Sequence, residues 1–211
     1  MYANAGIMLL SNGGISATKT AQGHEVQFDT NVLGHHFLLQ LLRPTIDRTA
    51  EASKPGDTRI VLVSSAAHDL LTSKELRRKW DPSDEAAHKY NADTLYGRSK
   101  MGNLHTMHAL ADQLEGKGVV VMGLHPGNIR SDLQRHLPAI QKSVIFLLTY
   151  PVALGATSQL YAGTVDMDDA KAWSRAYLVP WAQRGYMAAE ASDKALVQKT
   201  WTWCEEQTKG F

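Results

Sequence analysis

The chain has 211 residues, which is enough to bury one sizeable core and fits a single domain over residues 1–211. Its 22 lysine and arginine residues nearly balance its 21 aspartate and glutamate residues, so we expect no basic face and no nucleic-acid partner. The only cysteine, Cys204, excludes an internal disulfide bond and suits a reducing compartment, which predicts a cytoplasmic protein.

Apolar, β-branched runs predict the strands of a sheet. The opening "MYANAG" indicates a short first strand, and "RIVLVSS" (59–65) and "GVVVMGLHPG" (118–127) are continuous apolar runs that end in small or turn residues. A weaker run follows at "AYLVPW" (176–181). Unbroken runs of this kind are typical of a parallel sheet that is covered on both faces.

Three helices are predicted between and after these strands, at residues 24–46, 96–118 and 192–207. The first should end near Pro44, and the third should begin at Ser192, which is a candidate N-cap. Apolar residues of the first helix recur at helical spacing: Val32, Phe37, Leu38, Leu41 and Leu42. Alternating strands and helices predict an α/β fold with a doubly wound, mostly parallel sheet.

Two further segments bear on a binding site. Residues 66–95 are polar and irregular, which is typical of an excursion that shapes a site. Residues 143–156 are apolar but too short to span a membrane. A buried helix or a flap over a pocket is the favoured interpretation of this second segment, and a contact with a membrane surface is the alternative.

Polar and small residues follow three of the predicted strands. These groups are Asn4-Ala5-Gly6, Ser64-Ser65 and His125-Pro126-Gly127. In an open α/β sheet, ligands bind outside the carboxyl ends of the strands. The sequence therefore predicts a ligand site at this edge.

Five motifs together resemble one family. "ANAGIM", "FDTNVLGHHFLL", "RIVLVSSAAH", "YGRSK" and "HPGNIRSDL" occur in the order and approximate spacing of the short-chain dehydrogenase/reductases. The long interval between Ser65 and Tyr96 is similar to the branch of retinol-dehydrogenase-like and WW-domain-oxidoreductase-like enzymes. The resemblance implies a Rossmann-type fold, a nicotinamide cofactor and the interconversion of an alcohol and a carbonyl.

A tyrosine and a lysine one helical turn apart would carry the chemistry. Tyr96 would exchange a proton with the substrate oxygen, but a free tyrosine has a pKa near 10, too high for a good base. Lys100 lies on the same helix face and can supply a charge that favours the phenolate. Without the other motifs, both residues would be interpreted as surface positions of an amphipathic helix.

The resemblance implies the remaining site residues. Ser65 would hydrogen-bond the substrate oxygen, and Lys100 would also hold the hydroxyl groups of the nicotinamide ribose. Asn31 would position a water in a proton relay, although it could instead satisfy a backbone group in a bent helix. The residues expected beside the cofactor are Asn4, Gly6, Tyr96, Lys100, Pro126, Gly127, Ile129 and Ser131.

One motif of the family is missing from this sequence. The family begins with a TGxxxGxG turn that holds the pyrophosphate, and "SNGGIS" (11–16) neither fits that pattern nor falls in its place. The resemblance therefore implies that three strands are absent, so that the edge strand is exposed and cofactor binding is weakened or lost.

Two functions remain open from the sequence. The first is an NAD(P)-dependent oxidoreductase, with NADP favoured, acting on a small carbonyl or alcohol. A lipophilic substrate is suggested by apolar residues downstream of the third strand: Leu133, Ile145, Phe146 and Leu147. The second is an inactive fragment or an interaction module, which could form a homodimer through the helices that the family uses for dimerisation. No HExxH motif or Cys-His cluster predicts a metal site.

Overall fold

A five-stranded sheet organises the chain. The structure, a computed structural model, describes residues 1–8, 19–83, 87, 89–130 and 149–211. Its strands, in the order in which they lie side by side, are β1 (Tyr2–Ala3), β2 (Thr58–Val63), β3 (Val119–Leu124), β4 (Tyr177–Val179) and β5 (Gln183–Arg184). The first four are parallel and β5 is antiparallel to β4. The predicted α/β class with a mostly parallel sheet is confirmed.

All of β3 and the last four residues of β2 are apolar and buried, because both faces of the sheet are covered there. Ile60 and Val121 are register partners, and both belong to the core on one face. Their neighbours Val61 and Met122 belong to the core on the other face. Successive strand residues point to opposite faces, so an unbroken apolar run supplies both cores.

Eight helices are found among the described residues. They are α1 (Val26–Phe28), α2 (Gly34–Ala52), α3 (Ala67–Leu70), α4 (Lys74–Arg78), α5 (Ala92–Gln113), α6 (Val152–Thr164), α7 (Met167–Ala172) and α8 (Lys194–Thr208). A π-helical turn, Asp29–Leu33, joins α1 to α2, and a 3-10 turn, Ala189–Ser192, precedes α8. Most residues of α5 are buried, because the sheet, α3 and α8 all pack against it.

The first predicted helix differs from the observed α2 in its end and in its buried face. The helix continues through Pro44 to Ala52, because Ile46 and Ala50 are buried in the core beyond the proline. Leu38 and Leu41, predicted on the apolar face, are 43% and 61% exposed. The π-turn contains an extra residue, which rotates the helix that follows it and turns a different face towards the core.

Hydrogen bonds correct the predicted start of the third helix. Asp193, rather than Ser192, caps α8, since its carboxylate accepts from the backbone N–H groups of Ala195 at 2.9 Å and Leu196 at 3.1 Å. The excursion at residues 66–95, predicted to be irregular, has regular elements among its described residues. It contains α3, α4 and the first residues of α5.

Part of the apolar segment at residues 143–156 lies outside the described residues, and its last five residues open α6. Within the described part of the chain, no helix combines the length and apolarity needed to cross a membrane.

A chain of buried hydrogen bonds attaches α8 to the rest of the molecule. Trp80 Nε1 donates to Thr200 Oγ1 at 2.7 Å, and Thr200 Oγ1 lies 2.8 Å from His105 Nδ1. His105 Nε2 lies 3.1 Å from the carbonyl oxygen of Glu190. Burial lowers the pKa of His105 to about 4, so the ring is neutral. Its proton is on Nε2, and Nδ1 accepts from the threonine hydroxyl.

We expect Thr200→Val to destabilise the fold by about 1–3 kcal/mol, because it leaves the buried Trp80 N–H and His105 Nδ1 without a partner. Urea unfolding measures the change. Thr200→Ser is the matched control, since it keeps the hydroxyl and should recover most of the loss. A valine variant as stable as the parent chain would show that this network does not hold α8 in place.

Candidate functional site

The candidate site lies at the carboxyl ends of the first three strands. The loop after β1 contributes Gly6, the end of β2 contributes Ser65, and α5 contributes Tyr96 and Lys100 beside them. Asn31 enters from the π-turn before α2. Parallel strands bring their carboxyl ends to one edge of the sheet, which is why residues distant in sequence meet there.

The buried amide of Asn31 ties the loop after β1 to α5. Its Oδ1 accepts from the backbone N–H of Ile7 at 2.8 Å, and its Nδ2 donates to the carbonyl of Ile7 at 2.9 Å. The same Nδ2 donates to Ser99 Oγ at 2.9 Å. Asn31 therefore pairs with the backbone of another segment rather than with its own helix.

Ser99 is a site residue that the sequence analysis missed. It is buried, accepts from Asn31, and donates from Oγ to the carbonyl of Tyr96 at 2.8 Å. The available signal was its position immediately before Lys100. A small hydroxyl side chain at this point connects Asn31 to the turn that carries Tyr96.

Lys100 is 5% exposed and lies beneath the ring of Tyr96, with Nζ 5.5 Å from the ring centroid. Nζ donates to the carbonyl of Val63 at 3.3 Å. A Cβ added at Gly6 would lie 2.8 Å from Asn31 Oδ1 and 3.5 Å from Lys100 Nζ, so the glycine keeps this space open. Burial lowers the pKa of Lys100 to about 8.

The pKa of Tyr96 is raised, whereas the sequence analysis expected the charge of Lys100 to lower it. Burial is the larger cause, and a hydrogen bond with the side chain of Ser65 acts in the opposite direction. The lysine faces the ring rather than the hydroxyl, which limits how far its charge can favour the phenolate.

The two serines after β2 have different environments. Ser64 is buried, and its Oγ donates to the carbonyl of Lys100 at 2.7 Å. Ser65 is partly exposed, lies close enough to Tyr96 for its side chain to act against the rise in the tyrosine pKa, and accepts from the backbone N–H of Ala67 at 3.2 Å. The hydroxyl of Ser64 is therefore used within the fold, whereas that of Ser65 lies beside Tyr96.

Two other residues predicted to lie beside the cofactor, Asn4 and Ile129, contact α6. Asn4 Oδ1 accepts from Gln159 Nε2 on α6 at 3.2 Å. Ile129 packs against α6, where a Cβ at Gly155 would lie 2.7 Å from its side chain.

Pro126 is partly exposed in the loop after β3, and Gly127 follows it. Gly127 has a φ of 90° and faces Pro180, so a side chain at this position would be strained. Ser131 and the predicted lipophilic residues Leu133, Ile145, Phe146 and Leu147 lie outside the described residues. The structure thus brings Gly6, Asn31, Ser65, Tyr96 and Lys100 together.

No protein-family model matches the chain. A short-chain dehydrogenase/reductase of Armillaria gallica is 34% identical over 211 residues, which are the whole of this chain and 65% of that protein. Mouse retinol dehydrogenase 14 is 34% identical over 148 residues, covering 68% of this chain and 41% of the mouse protein. The chain thus spans less than two thirds of the length of these curated relatives.

Two solved structures share the fold. A crystal structure of an uncharacterised protein from Mycobacterium paratuberculosis matches 99% of this chain and 66% of its own, with a TM-score of 0.65 and 24% identity. The NADPH-bound carbonyl reductase from chicken fatty liver matches 89% of this chain and 64% of its own, with a TM-score of 0.56 and 17% identity.

The buried lysine should make the stability of the fold depend on pH. Lowering its pKa from 10.5 to about 8 corresponds to about 3 kcal/mol against the charged form. Below pH 8 the amine is charged in both the folded and the unfolded chain, so the full cost is present. As the pH rises from 8 towards 10, the folded chain loses this proton first and becomes more stable.

We therefore expect Lys100→Met to be about 1–3 kcal/mol more stable than the parent chain at pH 7, with the difference shrinking towards pH 10. Denaturant unfolding at several pH values measures it. Lys79→Met, at an exposed position, should show no such trend. A methionine variant that is less stable at pH 7 would contradict the burial cost.

Proposed function

Because the chain belongs to the short-chain dehydrogenase/reductase family, we propose that it is a nicotinamide-dependent oxidoreductase that interconverts an alcohol and a carbonyl. The observation that carries the proposal is the convergence of three side chains: Ser65 acts to lower the pKa of Tyr96, and the buried amine of Lys100 lies 5.5 Å from the centroid of the tyrosine ring. These groups supply a proton donor, an oxygen-binding hydroxyl and a neighbouring cation at one point.

The proton chemistry follows from this arrangement. In the direction of reduction, Tyr96 donates its proton to the carbonyl oxygen, and Ser65 donates a hydrogen bond to the charge that develops there. In the direction of oxidation, Tyr96 accepts the proton of the alcohol. The raised pKa of Tyr96 keeps the phenol protonated near neutral pH, which favours its role as an acid. A bound nicotinamide supplies or takes up the hydride.

The chain's residues are suited to hold the nicotinamide ribose. Within the described residues, Lys100 Nζ makes one hydrogen bond, to Val63, so further N–H groups remain for ligand hydroxyls. The missing Cβ of Gly6 leaves room beside that amine. The pKa of Lys100, about 8, also lets it pass a proton near neutral pH. The NADPH-bound carbonyl reductase with the same fold supports NADP over NAD.

A lipophilic substrate is supported by an aromatic pair near the loop after β3. The rings of Tyr150 and Trp181 meet edge to face at 5.2 Å, and Trp181 lies 3.5 Å from where a Cβ at Gly127 would stand. Both rings are at least partly exposed, so they can present apolar surface to a ligand.

A second candidate is an interaction module that forms a homodimer. It is favoured by the exposure of Leu38 and Leu41 on α2, since large apolar side chains side by side on one helix face are typical of contact surfaces.

Cofactor binding tests the first candidate directly. We expect NADPH to bind the purified chain saturably, as followed by nicotinamide fluorescence, with NADH binding less tightly. Lys100→Ala should weaken binding tenfold or more, because it removes the donor for the ribose. Lys79→Ala is the surface control. No saturable binding to a folded chain, or equal binding by Lys100→Ala, would reject this role and leave the interaction module.

Turnover tests the proton donor. In a screen of lipophilic aldehydes and ketones with NADPH, we expect Tyr96→Phe to lower kcat by about 10²–10⁴, because the general acid is lost. NADPH affinity should change little in that variant. Tyr90→Phe, on a tyrosine whose ring contacts Arg98, is the matched control. A Tyr96→Phe variant with the parent kcat would exclude Tyr96 as the acid.

A further inference from the structure

The buried imidazole of His68 links Ser65 to a distant segment of the chain. His68 lies on α3, and its Nδ1 is 2.7 Å from the carbonyl oxygen of Ser65. Its Nε2 is 3.2 Å from the backbone nitrogen of Ala188, which lies between β5 and the 3-10 turn. The side chain is almost entirely removed from solvent.

The two partners determine the tautomer of this ring. A carbonyl oxygen can only accept, so Nδ1 carries the hydrogen, and a backbone N–H can only donate, so Nε2 is the acceptor. The ring must therefore be neutral to make both bonds. Burial lowers the pKa of His68, with a smaller contribution from Arg77, while the carbonyl of Ser65 and the charge of Asp69 act in the opposite direction.

Aromatic neighbours hold the ring in this orientation. His68 meets the ring of Tyr177 edge to face at 5.4 Å, and His125 lies against Tyr177 from the loop after β3, with the ring centroids 5.8 Å apart. The pKa of His125 is lowered to about 4 by burial and by His68, so both imidazoles remain neutral. No rotation of His68 can exchange its partners without disturbing this packing.

Ser65 depends on these contacts because it lies just beyond the sheet ladder. Ser64 makes the last bond of the ladder, from its N–H to the carbonyl of Leu124 at 2.7 Å. The carbonyl of Ser65 instead accepts from both the backbone N–H and the Nδ1 of His68, at 3.1 Å and 2.7 Å. The orientation of Ser65, and with it the direction of its hydroxyl, is therefore set from α3.

We propose that His68 is a positioning residue for the oxidoreductase reaction: its neutral, Nδ1-protonated ring fixes the backbone of Ser65 so that Oγ stays at the hydroxyl of Tyr96. This inference rests on the proposed function for its kinetic consequence. The bond to Ala188 serves a separate purpose, since it secures the segment that leads to α8.

Three variants separate positioning from simple structural support. His68→Ala removes both bonds, His68→Asn offers an amide N–H where Nδ1 stood, and His68→Gln offers an amide where Nε2 stood. We expect the alanine and glutamine variants to lose kcat tenfold or more with little change in the KM for NADPH. His68→Asn should recover at least fivefold of that loss. Equal kcat in the asparagine and glutamine variants would overturn the proposal.

A spectroscopic test measures whether His68 affects the pKa of Tyr96, and it requires no turnover. Tyrosine labelled with ¹³C at Cζ reports the pKa of Tyr96 by NMR, with Tyr96→Phe assigning its signal. Because the bond from Ser65 lowers that pKa, His68→Gln should raise it further and His68→Asn should not. If the parent chain reduces no carbonyl but shows this difference, the proposed function fails and the positioning role stands.

The parent chain alone provides a last test in case the variants do not fold. ¹⁵N NMR of histidine should show a proton on Nδ1 of His68, coupled across a hydrogen bond to the carbonyl carbon of Ser65. A proton on Nε2, or no such coupling, would overturn the inference.

Discussion

The three hydrogen bonds of the Asn31 amide are the constraint on which the site depends. They join the loop after β1 to the π-turn and to Ser99 on α5, and both hydrogens of Nδ2 are used in these bonds. Buried amides are costly unless fully paired, so these bonds fix both the loop and the turn of α5 that carries Tyr96 and Lys100. The π-turn is what directs Asn31 towards Ile7, and it also sets the buried face of α2.

This framework carries an electrostatic cost. Lys100 is buried with the carbonyl of Val63 as its hydrogen-bond acceptor among the described residues, and burial favours its neutral form. The same burial favours the neutral phenol of Tyr96, opposed by Ser65. Two groups whose proton affinities are shifted in opposite directions are thus packed against one another, an arrangement more typical of functional sites than of cores.

The excursion after β2 and the C-terminal helix form a second layer around α5. Thr200, Trp80 and His105 share one buried chain of hydrogen bonds, while His68 bonds to the segment before α8. Arg77 adds an ion pair with Glu190 in the same segment. Polar groups that pair completely in the interior specify one arrangement of these elements. Ser65 is therefore oriented in part by α3, which lies in this second layer.

The sequence by itself determined the class of fold and the placing of Tyr96 and Lys100 on one helix face, because both depend on local periodicity. Apolar runs specify the doubly covered strands β2 and β3, and a spacing of four residues puts Tyr96 and Lys100 on one helix face. The continuation of α2 past Pro44, the connecting role of Ser99 and the bonds of His68 were decided only by tertiary structure. Each depends on a partner far away in the chain, and no local pattern encodes which distant backbone group a buried side chain will meet.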